Sequence, residues 1–198
     1  MSGIVTNFAS KLLDFGYAIG FFSEFILLVL VVLWLVLKSI DPGMDIVVYV
    51  MGLIVSGGIN TLLKRWIGQR PRQASLAMDT VTQDYRAKPV RLGLQPRPHD
   101  PRKFLYSEHF DRRQRTYGMP SGHSQNVVYS IAYLYGSVPD PGPWVGIGCA
   151  LVVALTWIER WQFHNHTISQ LAVGAVVGVA LAYFVIRLRD MVTKPKSK

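Results

Sequence analysis

Residues Tyr17 to Leu37 read YAIGFFSEFILLVLVVLWLVL, with Glu24 as the single charged side chain. About 20 mostly apolar residues cross a bilayer core as a helix, so this stretch alone points to a membrane span. Glu24 lies near one end of it, where its carboxylate can reach the interface or a partner. Four further apolar runs follow, at about Met44–Leu63, His123–Val138, Pro143–Ile158 and Ser169–Ile186. The expected fold is therefore all-α, an integral-membrane bundle of about five transmembrane helices in one domain over residues 1–198. The third and fourth runs are short for lone spans, which predicts that they pack inside the bundle.

Composition first looks contradictory. Of 198 residues, 50% are hydrophobic and 17% charged, yet the net charge is +9. The charge has one location: Lys64 to Arg115 holds thirteen Lys/Arg against five Asp/Glu, which is +8 of the +9. A soluble nucleic-acid binder spreads its basic residues through a less apolar chain. Here they fall in a connection from Arg65 to Gly118 that is too long for an interhelical turn and has no sustained apolar period. This basic loop is expected in water or at the headgroup surface.

The lone cysteine, Cys149, sits in an apolar run and reads as a core residue. Met1–Gly16 lacks the pattern of a cleavable signal, so the first span is expected to stay in the protein. Turns at Asp41-Pro42-Gly43 and Pro139-Asp140-Pro141-Gly142-Pro143 separate neighbouring spans. Counting spans puts the long loop and Glu159–Ile168 on one face, and both turns and the C-terminus on the other. Gly174, Gly178 and Ala182 recur at four-residue spacing, which predicts close helix packing within the monomer.

Three polar clusters fall on the face that holds the long loop. Lys64-Arg65-Trp66-Ile67-Gly68-Gln69-Arg70-Pro71-Arg72 leaves the second span, and a guanidinium's planar fork suits phosphate oxygens. Tyr117-Gly118-Met119-Pro120-Ser121-Gly122-His123-Ser124-Gln125 enters the third, where a helix N-terminus offers backbone N–H groups to an anion. Ser121 adds a hydroxyl, Gly122 admits close approach, and His123 is placed to hand a proton to a departing oxygen. Between the fourth and fifth spans, Arg160 precedes His166, and Gln170 stands four residues after His166. The Gln170 amide oxygen can accept one imidazole N–H and leave the other nitrogen as a nucleophile. His164 and His166 form too small a set to read as a zinc site.

In order and spacing, these motifs resemble the type 2 phosphatidic acid phosphatase (PAP2) superfamily, membrane phosphatases that share an active-site plan with vanadium haloperoxidases. Tyr117–Gln125, His166-Thr-Ile-Ser-Gln170 and Gly58-Ile-Asn-Thr-Leu-Leu-Lys64 look most like the dolichyl diphosphatases. The resemblance implies that Lys64, Arg70, Ser121, Gly122 and Arg160 hold phosphoryl oxygens, that His166 forms a phosphohistidine and that His123 protonates the leaving group. It also implies hydrolysis without a metal or other cofactor. Five residues rather than the family's six separate Lys64 from Arg70, which turns Lys64 by about 100° on an ideal helix. Glu159 stands where the family often has Ser, and is expected to pair with Arg160.

The resulting expectation is a membrane enzyme acting on a lipid phosphate or diphosphate, with a polyprenyl diphosphate ahead of phosphatidate or another lipid phosphate. Anionic lipid headgroups are the expected partners of the remaining loop charges, with no specific nucleic acid; the oligomeric state stays open. The competing class is a non-catalytic membrane protein that binds anionic lipid or nucleic acid by charge alone, which needs neither Pro120-Ser-Gly-His123 nor His166. Sidedness by charge is divided between the Arg-rich loop on one face and Arg187, Arg189, Lys194, Lys196 and Lys198 on the other; the resemblance to dolichyl diphosphatases implies a cytosolic C-terminus and a lumenal or exterior active site. The last three lysines also look like a retrieval signal of the endoplasmic reticulum, with the plasma membrane as the alternative location.

Overall fold

Proline and glycine divide the apolar runs where the backbone requires a turn. Pro42 occupies the first helical position after Asp41, whose Oδ1 accepts from the Met44 N–H at 3.1 Å. Asp140 and Gly142 take positive φ values of 41° and 84°, and the Gly142 N–H donates to Asp140 Oδ1 at 3.2 Å before Pro143 opens the next helix. The structure, a computed structural model, describes residues 2–67, 118–138, 140–162 and 166–193, with side chains from Lys11. Arg70, Tyr117, His164, the terminal lysines and the basic loop from 68 to 117 lie outside the described residues.

Among the described residues five helices result: α1 (Ser2–Lys38), α2 (Pro42–Ile67), α3 (Gly122–Ser137), α4 (Pro143–Gln162) and α5 (Ile168–Thr193). All five expected spans are helical. Four are long and apolar enough to cross a membrane: Lys11–Lys38, Pro42–Ile67, Pro143–Gln162 and Ile168–Val192. The helices overrun the apolar stretches because hydropathy marks the span, whereas backbone hydrogen bonding carries the helix on through its polar end. Arg65–Ile67 thus complete α2 rather than begin the loop, and Glu159–Gln162 complete α4.

The short α3 touches all four other helices and forms the centre of the bundle. It buries Val127, Tyr129, Tyr133 and Leu134 together with Ser124, Gln125 and Ser130. The outer helices instead turn large apolar side chains outward, among them Phe25, Leu37, Ile54, Leu151, Val176 and Phe184. Such faces are stable against lipid, and the chain is an integral membrane protein. Exposed Trp66 and Trp161 flank one end of the bundle and exposed Trp144 the other, as interfacial indoles do.

Several polar groups buried in this setting are matched across helices. Tyr49, Tyr129 and Tyr133 form a ring cluster with centroids 5.4–6.0 Å apart. Their hydroxyls donate to Ser130 Oγ (2.9 Å), the Tyr49 carbonyl (3.2 Å) and the Asp45 carbonyl (3.0 Å) respectively. Asp45, buried at the start of α2, pairs at 2.8 Å with Arg189 near the end of α5 and also accepts from Ser39. This pair brings together the two ends assigned by span counting to the face opposite the long loop.

The most extensive contact joins α3 to α5 and depends on glycine. A Cβ at Gly174 would lie 2.5 Å from the Ser121 carbonyl oxygen, and one at Gly178 would overlap the Gln125 carbonyl. Ala182 is buried on the same stripe. The four-residue spacing therefore serves packing within the monomer, as expected. Gly178→Val should cost about 2 kcal/mol and visibly lower the thermal midpoint in detergent. An unchanged midpoint would contradict this backbone approach.

Candidate active site

The start of α3 is held from several sides. The Ser121 N–H donates to the Gln170 carbonyl at 3.0 Å, and Ser124 Oγ donates to the Leu171 carbonyl at 2.8 Å while accepting from Trp157 Nε1 at 2.9 Å. From α2, Asn60 Nδ2 reaches the Pro120 carbonyl (3.3 Å) and Gln125 Oε1 (2.9 Å). Gln125 Nε2 donates back to the Ser56 carbonyl (2.9 Å) and Oγ (2.8 Å), and Ser56 Oγ to Asn126 Oδ1 (2.8 Å). In a low-dielectric bundle a fully matched network of this kind fixes one register. Sequence reasoning missed it, although Asn60, a buried amide one turn before Lys64, was its visible signal.

Ser121 is fully buried and forms the N-cap of α3, its hydroxyl accepting from the Ser124 N–H at 3.4 Å. Gly122 faces Asn60, whose Oδ1 would lie 3.3 Å from an added Cβ. His123 stands in the first turn, half-buried, with Nδ1 3.4 Å from Glu24 Oε1 of α1. Lys64 stands one turn after Asn60 on the same face of α2.

His166 and Gln170 sit together as the four-residue spacing predicts, Nδ1 to Oε1 at 3.2 Å. The same Oε1 accepts from the Thr167 N–H at 3.2 Å, and the Gln170 N–H donates to Thr167 Oγ1 at 3.3 Å. This is a reciprocal capping box at the start of α5, legible in sequence as Thr-x-x-Gln. It also fixes the chemistry: a backbone N–H must point at an oxygen, so the amide is oriented and His166 Nδ1 is the protonated nitrogen.

Arg160 ends α4, and its carbonyl accepts from the His166 N–H at 3.2 Å. Its guanidinium is buried, packs over the Phe21 ring at 5.3 Å and lies 2.8 Å from Glu159 Oε2. The expected Glu159–Arg160 pair is present, as a charge contact rather than an aligned hydrogen bond. Cys149 is buried and carries no disulfide. Among the described residues no group of three or more His, Cys, Asp or Glu is arranged to hold a metal ion.

The bundle thus brings His123, Ser121, Gly122, Arg160, His166 and Gln170 to one end, with Lys64 on the neighbouring helix. A model of the PAP2 superfamily matches residues 45–194, which takes in nearly all of α2, the whole of α3 to α5 and every one of these side chains. No curated protein and no solved structure gives a match. With well over half of its length matched, the chain belongs to the PAP2 superfamily and is a phosphatase of that superfamily.

Proposed function

We propose that this phosphatase removes the terminal phosphate of a polyprenyl diphosphate, of which dolichyl diphosphate is the type, through a phosphohistidine on His166. The observation that carries the reading is the shared Gln170 oxygen, which holds the His166 proton on Nδ1 and thereby makes Nε2 the nucleophilic nitrogen. In the first step Nε2 attacks the terminal phosphorus, the N–P bond forms and the bridging P–O bond breaks. The departing lipid monophosphate takes a proton from His123. Water then attacks phosphorus and gives its proton to His123, the N–P bond breaks, and inorganic phosphate leaves.

Lys64, Arg70, Ser121, Gly122 and Arg160 are the proposed cradle for the phosphoryl oxygens, since this transfer is served mainly by positioning and positive charge. No metal or other cofactor takes part in the proposed cycle. The lipid assignment is supported by the setting: the motifs end helices whose outer faces are apolar, at a level flanked by Trp66 and Trp161. A long isoprenoid chain can remain in the bilayer while its headgroup meets the cationic end of the bundle. The basic residues of 68–117 are assigned to anionic headgroups beside it, all within a single domain.

Purified protein with chelator, assayed against polyprenyl diphosphate, polyprenyl monophosphate and phosphatidate, should release phosphate fastest from the diphosphate. His166→Ala should abolish release. Faster turnover of phosphatidate would reassign the lipid, and activity undiminished in His166→Ala would remove the nucleophile.

Gln170 offers a finer test. Gln170→Ala loses both the His166 acceptor and the helix cap, and should lower kcat by at least about tenfold, or about 1.4 kcal/mol. Gln170→Glu keeps both contacts, adds a charge that favours the imidazolium, and should turn over at least as fast as wild type. A Glu variant as slow as Ala would contradict the orienting role.

Basic residues stand near the spans on both faces, so the proposed orientation rests on the resemblance to the dolichyl diphosphatases. Arg187 and Arg189 lie toward the end of α5 opposite the site, and assigning that end to the cytosol makes the site lumenal, in the endoplasmic reticulum. A C-terminal tag should be reached by antibody after selective plasma-membrane permeabilisation; protection until the internal membrane is opened would reverse the assignment.

A further inference from the structure

Glu24 is the sole Asp, Glu, Lys or Arg between Asp14 and Lys38, a stretch that is otherwise built for lipid. An ionisable group at such a place is retained for a partner or a function. Glu24 also lies outside the residues matched by the PAP2 model, which begin at 45. Its role is therefore a property of this chain's own first helix.

The face of α1 that carries Glu24 forms a wall of the site. Gly20, one turn earlier, lets α1 approach α4 so closely that an added Cβ would lie 2.5 Å from the Leu155 carbonyl oxygen and 2.9 Å from Glu159 Cβ. Phe21 lies beneath the Arg160 guanidinium. Glu24 Oε1 is 3.4 Å from His123 Nδ1, the two side chains being 29% and 25% exposed. Glu24 also borders an open cavity of about 140 Å³ that extends to Asn126 and Ser130. That space admits a few waters, which lowers the cost of keeping the carboxylate ionised.

We propose that Glu24 is a positioning residue for proton transfer: it engages His123 Nδ1, favours the imidazolium, and directs Nε2 to the oxygen of the leaving lipid phosphate. The inference rests on His123 being the proton donor. The other charged or titratable groups toward this end, among the described residues, include Lys11, Asp14 and Tyr17 of α1, Lys64 and Arg65 of α2, Glu159 and Arg160 of α4, and His166 before α5. Cations at this end disfavour an imidazolium, and Glu159 is already engaged with Arg160 at 2.8 Å. Glu24 is the carboxylate in ion-pair contact with the imidazole itself. An adjacent negative charge stabilises the protonated ring, so its removal must let His123 lose its proton at lower pH.

The test is the pH dependence of kcat on polyprenyl diphosphate for wild type, Glu24→Gln, Glu24→Asp, His123→Ala and the Glu24→Gln/His123→Ala double variant. In Glu24→Gln the alkaline limb of kcat should move about 1 pH unit toward acid. KM should stay within about twofold, as expected for a group acting on the chemical step. Glu24→Asp should restore the limb, and Glu24→Gln should cost little more once His123 is already Ala. A Glu24→Gln limb at the wild-type position, or full additivity with His123→Ala, overturns the inference. If His123→Ala itself leaves kcat unchanged, the proton-donor reading fails instead, whatever Glu24 does.

Discussion

One backbone hydrogen bond, from the Ser121 N–H to the Gln170 carbonyl, ties together two motifs that are almost fifty residues apart. It can form because Gly174 and Gly178 let α5 lie against the backbone of α3 with no Cβ between them. With that approach in place, the start of α3 and the start of α5 become neighbours at one end of the bundle. His123 and His166, the proposed donor and nucleophile, then share a level in the membrane. At the far end the Asp45–Arg189 pair and the tyrosine cluster fix the same helices from below. The site is thus the consequence of a packing constraint in the middle of the bundle.

Gln170 does two things with one oxygen. It closes a capping box with Thr167 and accepts from His166. Glutamine is long enough to reach back to the cap N–H, which a shorter aspartate does less well, and the box orients the amide without needing charge. In the proposed mechanism the cost is a less strongly activated nucleophile, because a neutral amide stabilises an imidazolium less than a carboxylate does. In the same proposed mechanism the positive charge offered to the phosphate is also tempered, since Arg160 lies against Glu159.

Much of the fold was legible because lipid imposes one simple rule, that a spanning segment be apolar and helical. Five apolar runs became five helices; the short third run is the central α3, whereas the fourth, expected inside the bundle, extends through its polar end to the 20-residue α4 and keeps an exposed apolar outer face. Helix ends were less legible: Lys64–Ile67 and Glu159–Gln162 are polar and still helical. The His166–Gln170 contact and the Glu159–Arg160 pair are local, so spacing alone revealed them. The Asn60–Gln125–Ser56 network and the Asp45–Arg189 pair join residues distant in sequence, and nothing in either segment names its partner. Glu24 falls between these cases: its isolation in an apolar helix announced a partner, but only the crossing of α1 with α3 and α4 identified His123.

The central claim is that phosphate passes through His166. Brief mixing of the purified protein with polyprenyl diphosphate labelled in its terminal phosphate, followed by a denaturing alkaline quench, tests it directly. The account predicts a labelled protein whose label is stable in base, lost in acid, mapped to the peptide containing His166 and absent from His166→Ala. Label that persists in His166→Ala, or an active wild type that never acquires label under single-turnover conditions, would contradict it.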